Sequence, residues 1–307
     1  MKKESLSTVS VTGEPTPWRL WLPDDEKPRA VVQLVHGMAE HIDRYDDTAR
    51  ALTDAGYAVV GHTQIGHGKN ALIPGWFSEG DGWQHLLNDI HLIRTLAQEK
   101  FPELPYFILG HSMGSFLVRC YLTIHGEGLT AAVLSGTGDF DNKTVSAGRL
   151  VAKIVCALGG AKKPSALINQ LAFASNNKPF EPARTPFDWL SRDEKQVDRY
   201  VMDPACGFLF TGAGYRDLFT GILRMNDEQA MRRIPRELPL LFISGDQDPV
   251  GGMGKGVKAV AERMEKVGVQ SVDVALYEGA RHELFNEINR AEVWHDLIAW
   301  LDEQLEA

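Results

Sequence analysis

The segment Tyr106-Phe107-Ile108-Leu109-Gly110-His111-Ser112-Met113-Gly114 sets a serine between two glycines directly after an apolar run. Phe116, Leu117, Cys120, Tyr121 and Ile124 then recur at helical spacing. The pattern predicts a strand, a sharp turn and a helix, with Ser112 at the turn. Gly110 and Gly114 serve that geometry, because so tight a turn strains the backbone at the serine and brings strand and helix too close for larger side chains. The Ser112 hydroxyl is thereby held out at the strand's C-terminal edge, where a nucleophile can meet a substrate. An alcohol attacks poorly near neutral pH, so nucleophilic chemistry here requires a histidine base and a carboxylate to orient it further along the chain. Three fixed positions recur by chance; the flanking strand and helix supply the context that the motif needs.

The elements that must carry these groups follow in chain order. Leu6 to Val11, and Trp18 to Leu22 before a Pro23-Asp24-Asp25 turn, read as an antiparallel edge hairpin. Ala30 to Val35 is a continuous apolar run of the kind expected for a strand buried on both faces, and the loop His36-Gly37-Met38-Ala39-Glu40-His41 follows it. A helix from Arg44 or Tyr45 to Ala55, a strand from Tyr57 to Val60 and a glycine-rich loop, Gly61 to Gly68, come next. Trp83 to Lys100 places Leu86, Leu87, Ile90, Ile93, Leu96 and Ala97 on one helical face. Pro102 and Pro105 end that helix before the serine-bearing strand. Ala131 to Ser135 is a further strand, and there the alternation stops.

From Asp139 to Arg236 the pattern predicts a mainly helical insertion that covers the C-terminal edge of the sheet. Leu150, Val151, Ile154, Val155 and Leu158, then Leu167, Ile168 and Leu171, form its helical stretches. Its aromatics, among them Phe187, Trp189, Phe208, Phe210, Tyr215 and Phe219, could equally form a small core of its own. Its apolar fraction suits a lipid tunnel or a dimer face. The strand and helix rhythm resumes at Pro239 to Gly245, with a helix near Gly254 to Val267, a strand from Val272 to Tyr277 and a last helix from Asn289 to Gln304. The fold class is therefore α/β, a mostly parallel central sheet flanked by helices. The expected core is 1–138 with 237–307, and the helical insertion is 139–236.

Parallel strands joined by helices carry their functional loops at the strands' C-terminal ends, which selects the serine's partners. His36, His62, His111 and His282 lie directly after predicted strands. His111 sits inside the turn and points away from the serine, and His36 is better suited to holding loops together. His282, reached from the last strand through Glu278-Gly279-Ala280-Arg281, is the preferred base. Asp246 and Asp248 both follow the strand ending at Ser244; Asp248, further out and just before Pro249, is the preferred carboxylate, with Asp246 as a loop-shaping acceptor.

Composition narrows the classes. The 307 residues are 44% hydrophobic and 24% charged, enough for a large core in one α/β domain with an insertion. A formal net charge of -9 without any basic tract argues against a nucleic-acid partner and against strong attraction to anionic membrane surfaces. Cys120, Cys156 and Cys206 are odd in number and widely spaced, which suits buried small hydrophobes in a reducing compartment. Polar residues follow Met1-Lys2-Lys3-Glu4 where a signal peptide needs an apolar stretch, and no run is long enough to span a bilayer, so a cytoplasmic location is the expectation.

The order Ser112, Asp248, His282 is that of the α/β-hydrolases. The sequence resembles that family, in the branch of monoacylglycerol lipases and bacterial lysophospholipases. The resemblance is carried by His36-Gly37-Met38-Ala39-Glu40-His41 with Arg44-Tyr45, Gly66-His67-Gly68, Gly110-His111-Ser112-Met113-Gly114, Gly245-Asp246-Gln247-Asp248-Pro249 and Tyr277-Glu278-Gly279-Ala280-Arg281-His282, in the family's order over nearly the whole chain. It implies a serine ester hydrolase with a lid, acting through an acyl-enzyme on a monoacylglycerol, a lysophospholipid or a similar small acyl ester. The backbone N-H groups of Met113 and, by resemblance, Met38 would form its oxyanion hole. No metal or cofactor is called for, and a transient membrane-surface contact through the cap is a further expectation. The branch usually has an aspartate before Gly-His-Gly and a serine after it, where this chain has Thr63 and Asn70, which leaves substrate contact at that loop open.

Competing chemistries fare worse. Gly251-Gly252-Met253-Gly254-Lys255-Gly256 lacks the hydroxyl of a phosphate-binding loop, no His-Glu-x-x-His occurs, and Ser112 replaces the acidic nucleophile of dehalogenases and epoxide hydrolases. A small-peptide, proline-type aminopeptidase of the same fold and a catalytically silent binding module remain as alternatives.

Overall fold

A computed structural model describes residues 1–24 and 27–306. Asp25 of the expected turn lies outside the described residues. Eight strands form one sheet: β1 Lys2–Val9, β2 Pro15–Leu22, β3 Ala30–Val35, β4 Tyr57–His62, β5 Tyr106–His111, β6 Ala131–Ser135, β7 Leu240–Gly245 and β8 Val272–Tyr277, in the order β1-β2-β4-β3-β5-β6-β7-β8. Strands β3 to β8 run parallel, whereas β2 pairs antiparallel with both β1 and β4. The edge hairpin exists, but shifted. β1 begins at Lys2 rather than Leu6, because its register with β2 (Lys2 opposite Leu22, Val9 opposite Pro15) leaves Val11 in the turn closed by Gly13.

Helices cover both faces: α1 Asp46–Asp54 and α10 Arg290–Glu306 on one, α2 Gly82–Lys100, α3 Met113–His125 and α9 Lys255–Val267 on the other. Alternate side chains of each central strand serve the two cores. Val133, Leu241 and Ile243 pack with Leu52 and Leu297, while Leu134, Leu240 and Phe242 pack with Leu117 and Val260. That alternation explains why β3, β5, β6 and β7 are buried throughout and read as unbroken apolar runs.

Between β6 and β7 run α4 Asn142–Val155, α5 Ala166–Phe173, α6 Glu194–Met202, α7 Gly212–Met225 and the short α8 Glu228–Met231. Several apolar residues of the expected helical stretches face solvent: Leu158 is 84% exposed and Leu171 70%, and Leu150, Ile154 and Leu167 are also exposed. Their helices bury Ala152 and Ile168, and among the described residues the opposite faces have no partner. The aromatics Phe210, Tyr215 and Phe219 do join the main core. Cys120 and Cys206 are buried; Cys156 is only half-buried, since it lies where α4 runs out into a kinked turn at Gly159.

Candidate active site

Ser112 sits between β5 and α3 with φ 53° and ψ -123°, a strained conformation for a residue with a Cβ. The turn is held from both sides: the Ser112 N-H donates to the Ser135 carbonyl at 2.9 Å, and the Ser115 N-H donates to the Ser112 carbonyl at 2.8 Å. The glycines are required by close approach. A Cβ on Gly114 would lie 2.0 Å from the Val35 carbonyl oxygen, and one on Gly110 would lie 2.4 Å from that of Gly114.

The loop after β3 comes over this turn. A Cβ on Gly37 would lie 3.1 Å from that of Ser112, so the Gly37-Met38 backbone passes beside the serine. Met38 and Met113 both line the cavity into which Ser112 opens. Ala39 adopts φ 53°, and its carbonyl accepts from the Gly207 N-H at 2.9 Å and the Tyr200 hydroxyl at 3.1 Å, which ties the loop to α6 and to the chain that follows it.

His282 lines the same cavity, and its Nδ1 lies 2.9 Å from Asp248 Oδ2. Both side chains are buried. The Asp248 carboxylate is itself oriented, Oδ1 accepting from the Val250 N-H at 2.9 Å and Oδ2 from the Ser244 hydroxyl at 3.4 Å. Burial disfavours the imidazolium, but the Asp248 carboxylate beside it prevails and raises the His282 pKa above its ordinary value. Among the described residues the Ser112 hydroxyl makes no hydrogen bond to the ring; such contacts commonly tighten only when substrate binds.

The other sequence candidates fall elsewhere. Asp246 accepts from the Gly279 N-H at 2.8 Å and shapes the neighbouring loop. His36 lies behind the Gly37-Met38 loop, its Nδ1 donating to the Gly37 carbonyl at 2.8 Å and its Nε2 accepting from the Gln64 N-H at 3.0 Å. Burial holds His36 neutral, far below the usual histidine range. Thr63 and Asn70 line a separate cavity with Arg19, His41 and Asp43.

Three features were not singled out from the sequence. The Trp189 ring lies 4.9 Å from that of His282 and the His111 ring lies 4.8 Å away, so both rings pack against the imidazole. Glu283 N-H donates to the Leu190 carbonyl at 2.7 Å, fixing the His282 loop to the segment before α6. Behind both loops, Arg44 bridges Glu40 and Glu283. Adjacency to His282 and membership of the Glu40, Arg44 and Tyr45 pattern were the available signals for these groups.

The cavity has a volume of about 420 Å³ and is walled mostly by apolar side chains, including Phe116, Phe140, Phe173, Phe208, Leu218 and Ile222. That size and lining suit an organic ligand with an extended apolar part. A serine hydroxyl, an oriented imidazole and the Met38 and Met113 backbone at one such cavity are groups of the kind that acyl transfer needs.

A family model described as serine aminopeptidase, S33, matches residues 26–289. The monoacylglycerol lipase of Mycolicibacterium smegmatis is 29% identical over 96% of this chain and 95% of its own. The human monoglyceride lipase is 28% identical over 96% of this chain and 89% of its own. Among solved structures, a thermostable carboxyl esterase from Bacillus coagulans, in complex with glycerol, superposes with a TM-score of 0.89 at 31% identity, covering 99% of each chain.

Proposed function

Because the chain belongs to the serine aminopeptidase S33 family of α/β-hydrolases, with monoacylglycerol lipases and a carboxyl esterase among its relatives, we propose that it is a serine carboxylic-ester hydrolase. Its substrates are monoacylglycerols, lysophospholipids or similar small acyl esters, and Ser112, His282 and Asp248 form its catalytic triad. The observation that carries this reading is the buried Asp248 and His282 pair at the same apolar cavity as a strained, glycine-flanked serine.

In the reaction, the Ser112 oxygen attacks the ester carbonyl carbon while His282 Nε2 takes its proton. Asp248 holds the other ring nitrogen as the N-H, which fixes the tautomer and stabilises the imidazolium. The charge gathering on the carbonyl oxygen meets the Met38 and Met113 N-H groups, each donor of this kind being worth roughly two to three orders of magnitude in rate. The carbon to leaving-group oxygen bond breaks as His282 returns the proton to the alcohol. Water then attacks the acyl-enzyme by the same route, releasing the acid and restoring Ser112. Burial of the ring against Trp189 and His111 keeps bulk water from it during these steps.

Segment 139–236 acts as a cap over the core formed by 1–138 and 237–307, a reading supported by the cavity walls that it contributes and by its bonds to Ala39, His282 and Glu283. Its exposed apolar helix faces lie in a stretch, 142–180, with six basic residues and no acidic one, a local basic excess that corrects the expectation of no basic tract and that the chain's net charge of -9 masks. That combination suits transient contact with an anionic lipid surface.

The family's description favours a second reading, an aminopeptidase. Such an enzyme needs a carboxylate free to bind the substrate's ammonium, whereas the acidic residues lining this cavity, Glu40 and Glu283, are both engaged by Arg44. The test is labelling with a fluorophosphonate followed by hydrolysis of monoacylglycerols, lysophospholipids and peptide amides in parallel. Covalent mass gained at Ser112, ester turnover and its loss in Ser112→Ala are expected. An unlabelled folded protein would favour a silent binding module, and faster cleavage of amides than esters would favour the peptidase.

A further inference from the structure

Arg44 sits on the short turn Ile42–Tyr45, with its side chain 12% exposed. Its Nη1 donates to Glu40 Oε2 at 2.6 Å and to Glu283 Oε1 at 2.7 Å, and its Nη2 donates to Glu283 Oε2 at 2.7 Å. The two carboxylates belong to the two loops that must cooperate. Glu40 Oε1 accepts from the Gly37 N-H at 2.5 Å and from the Tyr45 hydroxyl at 2.9 Å, so it fixes the backbone that leads into Met38. Glu283 follows His282 directly and is further held by Asn286 Nδ2 at 2.9 Å. The Tyr200 ring covers the guanidinium at 4.8 Å. A planar fork of this kind transmits distance and orientation to both partners, which a flexible ammonium does not.

We propose that Arg44 is a positioning residue that holds the Met38 oxyanion donor and the His282 base in register across the scissile carbonyl. This rests on the ester-hydrolase reading above. Among the described residues neither loop pairs with the other in the sheet, and the buried guanidinium bonds to both. Its charge matters as well as its shape. The groups facing His282 are Asp248, Glu283, Glu40 and His111, and those facing Arg44 are Glu40, Glu283, Tyr45, Tyr200 and Cys206. Burial opposes ionisation of Glu40, but the Arg44 cation brings its pKa below the ordinary value. The cluster of Glu40, Arg44 and Glu283 thus keeps one excess negative charge behind the imidazole, and Glu283 contributes directly to the field that favours the imidazolium.

Two variants separate shape from charge. Arg44→Lys keeps the charge and loses the fork; kcat per fluorophosphonate-titrated active site should fall on the order of 10²-fold, with KM changed no more than about threefold and the acid limb of the pH-rate profile unmoved. Glu283→Gln keeps the shape and removes one charge, so the acid limb should move to lower pH. Arg44→Lys turning over within about twofold of wild type, or an unmoved limb in Glu283→Gln, would overturn the proposal. If Arg44→Lys does not fold, Glu40→Gln, which loosens the guanidinium's hold on the Gly37 loop, takes its place: kcat should fall with KM changed no more than about threefold, and an unchanged kcat would overturn the proposal. Wild-type protein that takes up no fluorophosphonate would instead overturn the ester-hydrolase reading.

Discussion

Lowering the pH from 7.5 to 5 should strip the fold of much of its stability, through histidines that burial keeps neutral. His62, His67 and His111 are buried, and burial is the first cause that pushes each pKa down to about 4; a neighbouring histidine adds to it at all three. In the unfolded chain each returns to about 6.5. Between these values the unfolded state binds more protons than the folded one, so stability falls as the pH falls through the ordinary histidine range. Integrated from pH 7.5 to pH 5, each ring costs about 2 kcal/mol and the three together about 6 kcal/mol, against a typical total of about 5–15 kcal/mol. His36, held still lower by burial, adds in the same direction. His282 works in the opposite sense, since its raised pKa gives a stabilisation that is complete below the unfolded value and lost as the pH rises through the folded one. Asp217, whose carboxyl burial raises to about 6, likewise gains stability as the pH falls, by about 1 kcal/mol, so the four buried rings still prevail. Urea unfolding followed by circular dichroism at both pH values measures the difference directly. A control is His62→Leu, whose ring nitrogens have no hydrogen-bond partner among the described residues; it should shrink the pH effect by about 2 kcal/mol. Unfolding free energies that agree within about 1 kcal/mol at the two pH values would refute the argument.

Other outcomes follow from the same geometry. Asp248→Asn cannot hold His282 in the required tautomer, and kcat in an ester assay should fall on the order of 10⁴-fold while the protein stays folded by circular dichroism. Because His282 must be neutral to take the Ser112 proton and its pKa is raised, kcat/KM should drop as the pH falls through a value above 6.5, which a pH-rate profile will locate. Gly114→Ala would push a Cβ to 2.0 Å from the backbone oxygen of Val35 and should cost about 3 kcal/mol or more, read as lost soluble yield or a lowered Tm. The pair Leu158→Glu and Leu171→Glu should abolish flotation with phosphatidylglycerol vesicles while leaving turnover of a soluble short-chain ester unchanged.

The sequence by itself determined the strand and helix order, the parallel sheet, the position of the turn that carries Ser112, and Ser112, Asp248 and His282 as the candidate groups. These were legible because each is a local matter. An apolar run, a glycine that only a close turn requires, and the rule that loops follow strand ends all act over a few residues. The edge hairpin slipped because β1 is polar and half-exposed, so pairing with β2 rather than its own periodicity set where it starts. Tertiary structure alone decided that the leucines of α4 and α5 face outward, since helical spacing defines a face without saying what it meets. It also decided that Trp189 covers His282 and that Arg44 joins Glu40 to Glu283, a residue 239 positions away. A side chain's reach is a few ångströms, and which distant residues come within it depends on how loops cross at the sheet's edge, a geometry that the order of residue types does not encode locally.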